Sequence, residues 1–221
     1  MKFQSARQQV VEMSVLLADH GYFAATGGNL ALKVDDEHIV VTPSAMDYYE
    51  MTAADACVLR LRDLAKIDGD RKPTVEAGMH AKLLSIRTDC RASIHTHQPI
   101  ASACTLLGKP VPVLRAEDRA LLGDEVRVVG YAPSGTSWLS SKLAKAVLPD
   151  ANAYLLRTHG AICCGTSAER ALRAISALER LTLDYLRERI TARAAQASPQ
   201  QAALQRLLAT LDAQPIQEMV V

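Results

Sequence analysis

Two histidines separated by one residue, His95 and His97, close the run ASIHTH. Residues i and i+2 of a strand project from the same face, so on a strand both imidazoles can address one ion. Neutral imidazole is a good ligand for first-row metals, and Zn²⁺ accepts it in tetrahedral or five-coordinate sites. The plainer reading is two polar residues on a solvated strand face. His159 stands before Gly160, between the two apolar runs of LLRTHGAICC, where it either joins a site or serves the turn. Glu76 opens a helical stretch after Pro73. A carboxylate there favours the helix dipole, and beside a Lewis-acidic ion it is also a fourth ligand or a general base. His80 lies one helical turn further on the same face, as a competing ligand or as a satisfied core or supporting histidine. His20 and His38 read as helix-end and strand-edge residues.

Anion-binding candidates are weaker. The Gly27-Gly28-Asn29 turn exposes backbone N–H groups that could cradle an anion, with Asn29 adding a side-chain donor. Most such turns only reverse the chain. Thr42-Pro43-Ser44, a strand end with two hydroxyls, carries the same pair of readings.

The elements that must position these residues follow from periodicity. Val10, Val11, Leu16 and Leu17 predict a helix over residues 3 to 21, stopped by His20-Gly21. LALKV and HIVVTPS flank an acidic turn and predict a hairpin, and ACVLRLRD predicts a third strand. Helical spacing returns over 74 to 88 through Val75, Met79, Leu83 and Leu84. ASIHTH is a strand, followed by a helix from Pro99 to Leu107. EVRVVGYAP is a strand, and Ser134-Gly135-Thr136 feeds a helix ending near Pro149. AYLLRTHGAICCG is a second hairpin. A long amphipathic helix runs from Ala168 to about Arg193 through Leu172, Ile175, Leu178, Leu181 and Leu186. Interleaved strands and helices argue for a layered α/β or α+β domain over 1–195. A tail over 196–221 follows, read as a mobile helix or as a segment docked by Leu204, Leu207 and Leu208.

Composition excludes several classes. In 221 residues, 25 Lys+Arg face 24 Asp+Glu for a formal net charge of +1. That leaves no extended basic face for nucleic acid, and two Phe with one Trp leave little for base stacking. No apolar run approaches the ~20 residues of a membrane span, and the start of the chain lacks the uninterrupted apolar region of a signal peptide. Five cysteines without a CxxC pair point to buried, reduced thiols and a cytoplasmic protein.

Taken together and in order, TGGNLAL, VVTPSAMDYYEMTAAD, KPTVEAGMH, SIHTH, GYAPSGT and LLRTHGAICCG resemble the class II aldolase/adducin family, over roughly residues 3 to 190. The resemblance implies a three-layer α-β-α sandwich around a mainly antiparallel sheet. It also implies a homotetramer with active sites at subunit interfaces, acting on a small molecule. Carried over, His95, His97 and His159 are the Zn²⁺ ligands, with Mn²⁺ or Co²⁺ as alternatives. Glu76 is the acidic residue that ligates the resting metal and relays protons. Gly28, Asn29, Thr42, Ser44 and Thr74 line the substrate's phosphate or terminal carboxylate.

The chain departs from that pattern. Ala45 stands where the family has Gly, Val75 where it has Ser, and Ala31 where it has a hydroxyl. Two or three lost donors to a charged group would cost several kcal/mol at about 1.5–3 kcal/mol each. The neighbouring-subunit tyrosine is missing around Arg115-Ala116, leaving Arg115 or Arg119 as candidate carboxylate binders. The expected activity is zinc-dependent aldol cleavage of a C–C bond next to a carbonyl, through a metal-stabilised enediolate. Decarboxylation, epimerisation or dehydration on the same metal are the enzymatic alternatives. The alternative of another class is a non-catalytic adducin-like binding module.

Overall fold

Nine strands form one sheet in the computed structural model, which describes residues 1–23, 27–196 and 198–213. Thr26 of the glycine-rich turn and the tail beyond residue 213 lie outside the described residues. The strands are β1 (Asn29–Lys33), β2 (His38–Val41), β3 (Cys57–Arg60), β4 (Lys66–Asp68), β5 (Ala92–Thr96), β6 (Val111–Pro112), β7 (Glu125–Val129), β8 (Ala153–Leu156) and β9 (Gly160–Gly165). Their order is β4-β3-β2-β1-β5-β9-β8-β7-β6. Every pairing is antiparallel except β7 with β8. That parallel pair needs a crossover, which a helix over Ser137–Ala146 supplies.

The helices are α1 (Gln4–Asp19), α2 (Ala77–Ile86), α3 (Pro99–Cys104), α4 (Ala116–Leu122), α5 (Ser137–Ala146), α6 (Ala168–Ala194) and α7 (Gln201–Asp212). On one sheet face Leu30, Val40 and Ile94 meet Val10 and Leu17 of α1 and Leu172, Ile175 and Leu178 of α6. On the other, Ala31, Val41 and Ile162 meet Met79 and Leu83 of α2 and Leu139 and Leu143 of α5. The result is the expected three-layer sandwich. All five residues of β1 and of β5 are buried. With both faces covered, these central strands read as nearly unbroken runs rather than an apolar–polar alternation.

The helix over 168 to 193 begins where Ser167 accepts a hydrogen bond from the Arg170 backbone N–H (3.1 Å), as an N-cap should. Three short elements went unforeseen: β4, β6 and α4. The terminal stretch contains α7, held to α6 by Arg187, which donates to the Leu211 carbonyl (3.0 Å) and pairs with Asp212 (2.9 Å). Its buried anchor is Leu211, packed with Leu183 and Ile100, whereas Leu207 is exposed. Among the described residues no helix is long and apolar enough to cross a membrane.

Candidate active site

The central pair β1–β5 places Asn29 opposite His95. Next to it, the β8–β9 hairpin brings His159 to the same end of the sheet, and α2 starts with Glu76 at its N-cap. The ligand atoms of His95, His97 and His159 lie within 4.8 Å of one another. His95 Nε2 stands 3.0 Å from His97 Nε2 and 3.3 Å from Glu76 Oε2, and His159 Nε2 stands 3.5 Å from Glu76 Oε1. Four residues separated by up to 83 positions in the chain (76 to 159) thus meet at one point.

His95 and Glu76 are aimed by their neighbours. His95 donates from Nδ1 to the Ala161 carbonyl (2.8 Å), which leaves Nε2 as a bare lone pair. Burial pushes the His95 imidazole down to about 3, so it is neutral in the physiological range. Burial also lowers His97. Burial raises the Glu76 carboxyl, but His95, the Asn29 amide, His159 and the Ser134 hydroxyl outweigh it and hold it below the usual carboxylate range. Asn29 Nδ2 and Ser134 Oγ each donate to one Glu76 oxygen at 2.8 Å. Nitrogen lone pairs and a carboxylate converging on one point repel one another, and a divalent cation there would satisfy all of them. The donor set fits such an ion.

The strand end that carries His95 and His97 is anchored from behind. Thr96 Oγ1 donates to Gln98 Oε1 (2.6 Å), and Gln98 Nε2 donates to Glu179 Oε2 (3.1 Å) and the Ile175 carbonyl (3.0 Å). Glu179 also accepts the backbone N–H groups of Ile100 (2.8 Å) and Ala101 (2.9 Å), opening α3. His159 is preceded by Thr158 at φ +57°, a left-handed conformation rare for a β-branched residue. The Thr105 hydroxyl accepts the Thr158 N–H (3.2 Å) and holds that turn.

Thr42, Ser44 and Thr74 form one neighbouring seam. Thr74 N–H donates to the Thr42 carbonyl (3.0 Å) and Ser44 N–H to the Lys72 carbonyl (2.9 Å), around a Pro43–Pro73 bridge. Gly28 sits at φ +99°, where an added Cβ would collide with the Phe23 ring, and its carbonyl accepts the Tyr48 hydroxyl (2.6 Å). Arg115 and Arg119 are engaged elsewhere. Arg115 pairs with Asp118 (2.9 Å) and Asp184 (3.6 Å), and Arg119 donates to the Val113 carbonyl (2.8 Å). Sequence reasoning missed Ser134 as a Glu76 donor; its only signal was its place in the GYAPSGT turn.

The residues of this site are held by a fold with relatives. Residues 8–186 match the Class II Aldolase and Adducin N-terminal domain. The chain belongs to the class II aldolase and adducin family. The domain is 31% identical over 180 residues to a 5-deoxy-D-ribulose 1-phosphate aldolase of Bacillus thuringiensis serovar kurstaki, covering 81% of this chain and 83% of the relative. It is 31% identical over 187 residues to a 5-methylthioribulose-1-phosphate/5-deoxyribulose-1-phosphate aldolase of Rhodospirillum rubrum, covering 82% and 80%. The solved structure of an L-fuculose 1-phosphate aldolase superposes with a TM-score of 0.80 at 25% identity, covering 96% of this chain and 98% of that one.

One position of this class II aldolase domain carries visible backbone strain. Ala45, where the resemblance leads one to expect glycine, adopts φ +52°, a left-handed conformation that glycine takes without strain. Ala45→Gly is therefore expected to raise stability by about 0.5–1 kcal/mol, as relief of left-handed strain exceeds the added chain entropy. Chemical denaturation measures this; an unchanged or lower midpoint would show that the turn carries no strain.

Proposed function

We propose that this class II aldolase domain is a divalent-metal-dependent aldolase. It would cleave a C–C bond next to a carbonyl in a small hydroxy-carbonyl or sugar-phosphate substrate. The observation that carries this reading is the Glu76 carboxylate, 3.3 Å from His95 Nε2 and 3.5 Å from His159 Nε2. His95, His97 and His159 would hold Zn²⁺, with Mn²⁺ or Co²⁺ able to substitute, and Glu76 would be the fourth ligand at rest. Bound there, the cation supplies a Lewis acid that polarises a carbonyl and stabilises developing negative charge.

The chain's own residues supply the rest. His95 keeps its Nε2 free by committing Nδ1–H to Ala161. Glu76 exchanges a proton with the substrate carbon next to the carbonyl, and Asn29 and Ser134 hold its two oxygens in place. Gly28, Asn29, Thr42, Ser44 and Thr74 would receive the substrate's anionic end. Ala31, Ala45 and Val75 offer that end no hydroxyl, so a carboxylate or an unphosphorylated terminus fits as well as a phosphate. The proposed assembly is a homotetramer, in which Arg115 or Arg119 would reach a neighbouring site.

The test is chelation followed by reloading with Zn²⁺, Mn²⁺ or Co²⁺. Each form is assayed for cleavage of 5-deoxy-D-ribulose 1-phosphate, L-fuculose 1-phosphate, their unphosphorylated analogues and 3-keto or hydroxy acids. Metal-dependent release of two carbonyl fragments is the expected result. Conversion without C–C cleavage would favour an epimerase or dehydratase, and release of CO₂ a decarboxylase. Binding of well under one metal per chain after reloading would favour the non-catalytic module.

A further inference from the structure

His80 takes no part in the histidine triad, yet it is fully buried and both its ring nitrogens are engaged. Nε2 stands 2.7 Å from Asn29 Oδ1, and Nδ1 stands 2.8 Å from Ser93 Oγ. Ser93 lies on β5 two residues before His95, on the same strand face. A line of four side chains therefore runs from the sheet to the reacting centre: Ser93, His80, Asn29, Glu76.

The carboxylate sets the polarity of the whole line. Ionised Glu76 can only accept, so the group 2.8 Å from its Oε2 must be the Asn29 NH₂. The Asn29 carbonyl then faces His80 and needs a donor, which makes His80 the Nε2–H tautomer. A neutral imidazole with Nε2 protonated accepts at Nδ1, and the Ser93 hydroxyl supplies that proton. Reversing any member reverses the next. An Asn29 amide turned by a half-rotation would set its carbonyl lone pairs against the Glu76 carboxylate. The carboxylate therefore chooses the amide's orientation, and the His80 Nε2–H holds it there by satisfying the Asn29 carbonyl.

We propose that His80 is a positioning residue, which locks the Asn29 amide so that its NH₂ faces Glu76 and fixes that carboxylate's aim at the metal point. This rests on the reading of Glu76 as metal ligand and proton carrier. His80 acts on the site only through Asn29, so its effect vanishes where Asn29 has no amide.

The experiment is a double-mutant cycle on Co²⁺ affinity of the chelator-stripped protein, read from the visible absorption of the bound ion. His80→Phe and Asn29→Ala are each expected to weaken Co²⁺ about 10-fold or more, the scale on which groups that orient ligands act. The double variant is expected to be no weaker than the worse single one. Multiplying losses, or an unchanged affinity in His80→Phe, would overturn the proposal. His80→Gln keeps a donor for the Asn29 carbonyl and is expected to stay within about 3-fold of the parent; a full loss there would overturn it. On the unaltered protein, ¹⁵N resonances of His80 should show a protonated Nε2 and a bare Nδ1; the opposite tautomer would overturn it without any variant. Glu76→Gln separates the two readings. Parent-like Co²⁺ affinity and turnover in that variant defeat the Glu76 assignment itself. Losses there, with an additive cycle, defeat only the part given to His80.

Discussion

Glu76→Gln is expected to lose turnover by about 10²–10⁴-fold with metal supplied in excess, the range that a positioned proton carrier contributes. The substitution keeps the side chain's shape and all three histidines. It removes the negative charge and the proton-carrying carboxylate, while an amide can still accept from Asn29 Nδ2 and donate to the Ser134 hydroxyl. Elemental analysis should still find about one metal per chain at saturation, because the imidazoles are untouched. The decisive comparison is turnover per bound metal, assayed on whichever sugar phosphate the parent protein cleaves. Parent-like turnover per metal would remove Glu76 from the chemistry.

Gly160→Ala is expected to damage both folding and metal binding, although it adds a single methyl group. A Cβ at this position would run into the Thr96 carbonyl, come within 2.8 Å of the His97 ring and stand 3.2 Å from the His95 ring. The carbonyl belongs to the β5–β9 ladder, where Thr96 pairs with Ala161, so it cannot swing aside without breaking the pairing. Overpacking of this kind costs about 1–3 kcal/mol. The clash is resolved by displacing imidazoles, so metal affinity should fall about 10–100-fold, as it does when ligand orientation is lost. Thermal denaturation and Zn²⁺ titration measure the two effects independently. A variant that keeps parent-like stability and affinity would show that β9 can move away from the histidines at no cost.

The residues of the histidine–carboxylate cluster were legible because each carries a local signal, although they lie far apart in the chain. His95 stands at the end of the strand pattern with His97 one residue beyond β5, close enough for both rings to reach one point, and Glu76 falls at a helix start marked by Pro73. The β8–β9 hairpin was readable around His159 because two apolar runs flank a His-Gly turn. The long elements were equally plain: α6 carries an apolar stripe through several turns, and α1 ends at a glycine. What escaped had too few residues to show a period, as with the two residues of β6 and the three of β4. Ser134 escaped for a different reason. It lies 58 positions from Glu76, and only the packing of α5 against α2 brings its hydroxyl to the carboxylate. Asn29 was read as a substrate donor from its glycine-rich turn. That its amide is shared between Glu76 and His80 follows from the β1–β5 register, which a single sequence does not display. Leu207, which looked apolar enough to dock the tail, stays in solvent while Leu211 one turn later takes that place.

The pairing of His95 with Ile162 across β5 and β9 has a consequence for how the chain is checked as it matures. Side chains alternate between sheet faces, so a slip of β5 by a single residue would drive His95 and Ser93 into the apolar layer under α6. It would also turn Ile94 and Thr96 toward the polar end. Such a misassembled sheet could still be compact, but it would present no three-nitrogen donor set. If the site takes up an ion as proposed, that ion would act as a proofreader of strand alignment, since free energy of coordination would accrue only to chains in the native register. Metal added during refolding should then raise the yield of correctly aligned protein more than the same metal added afterwards.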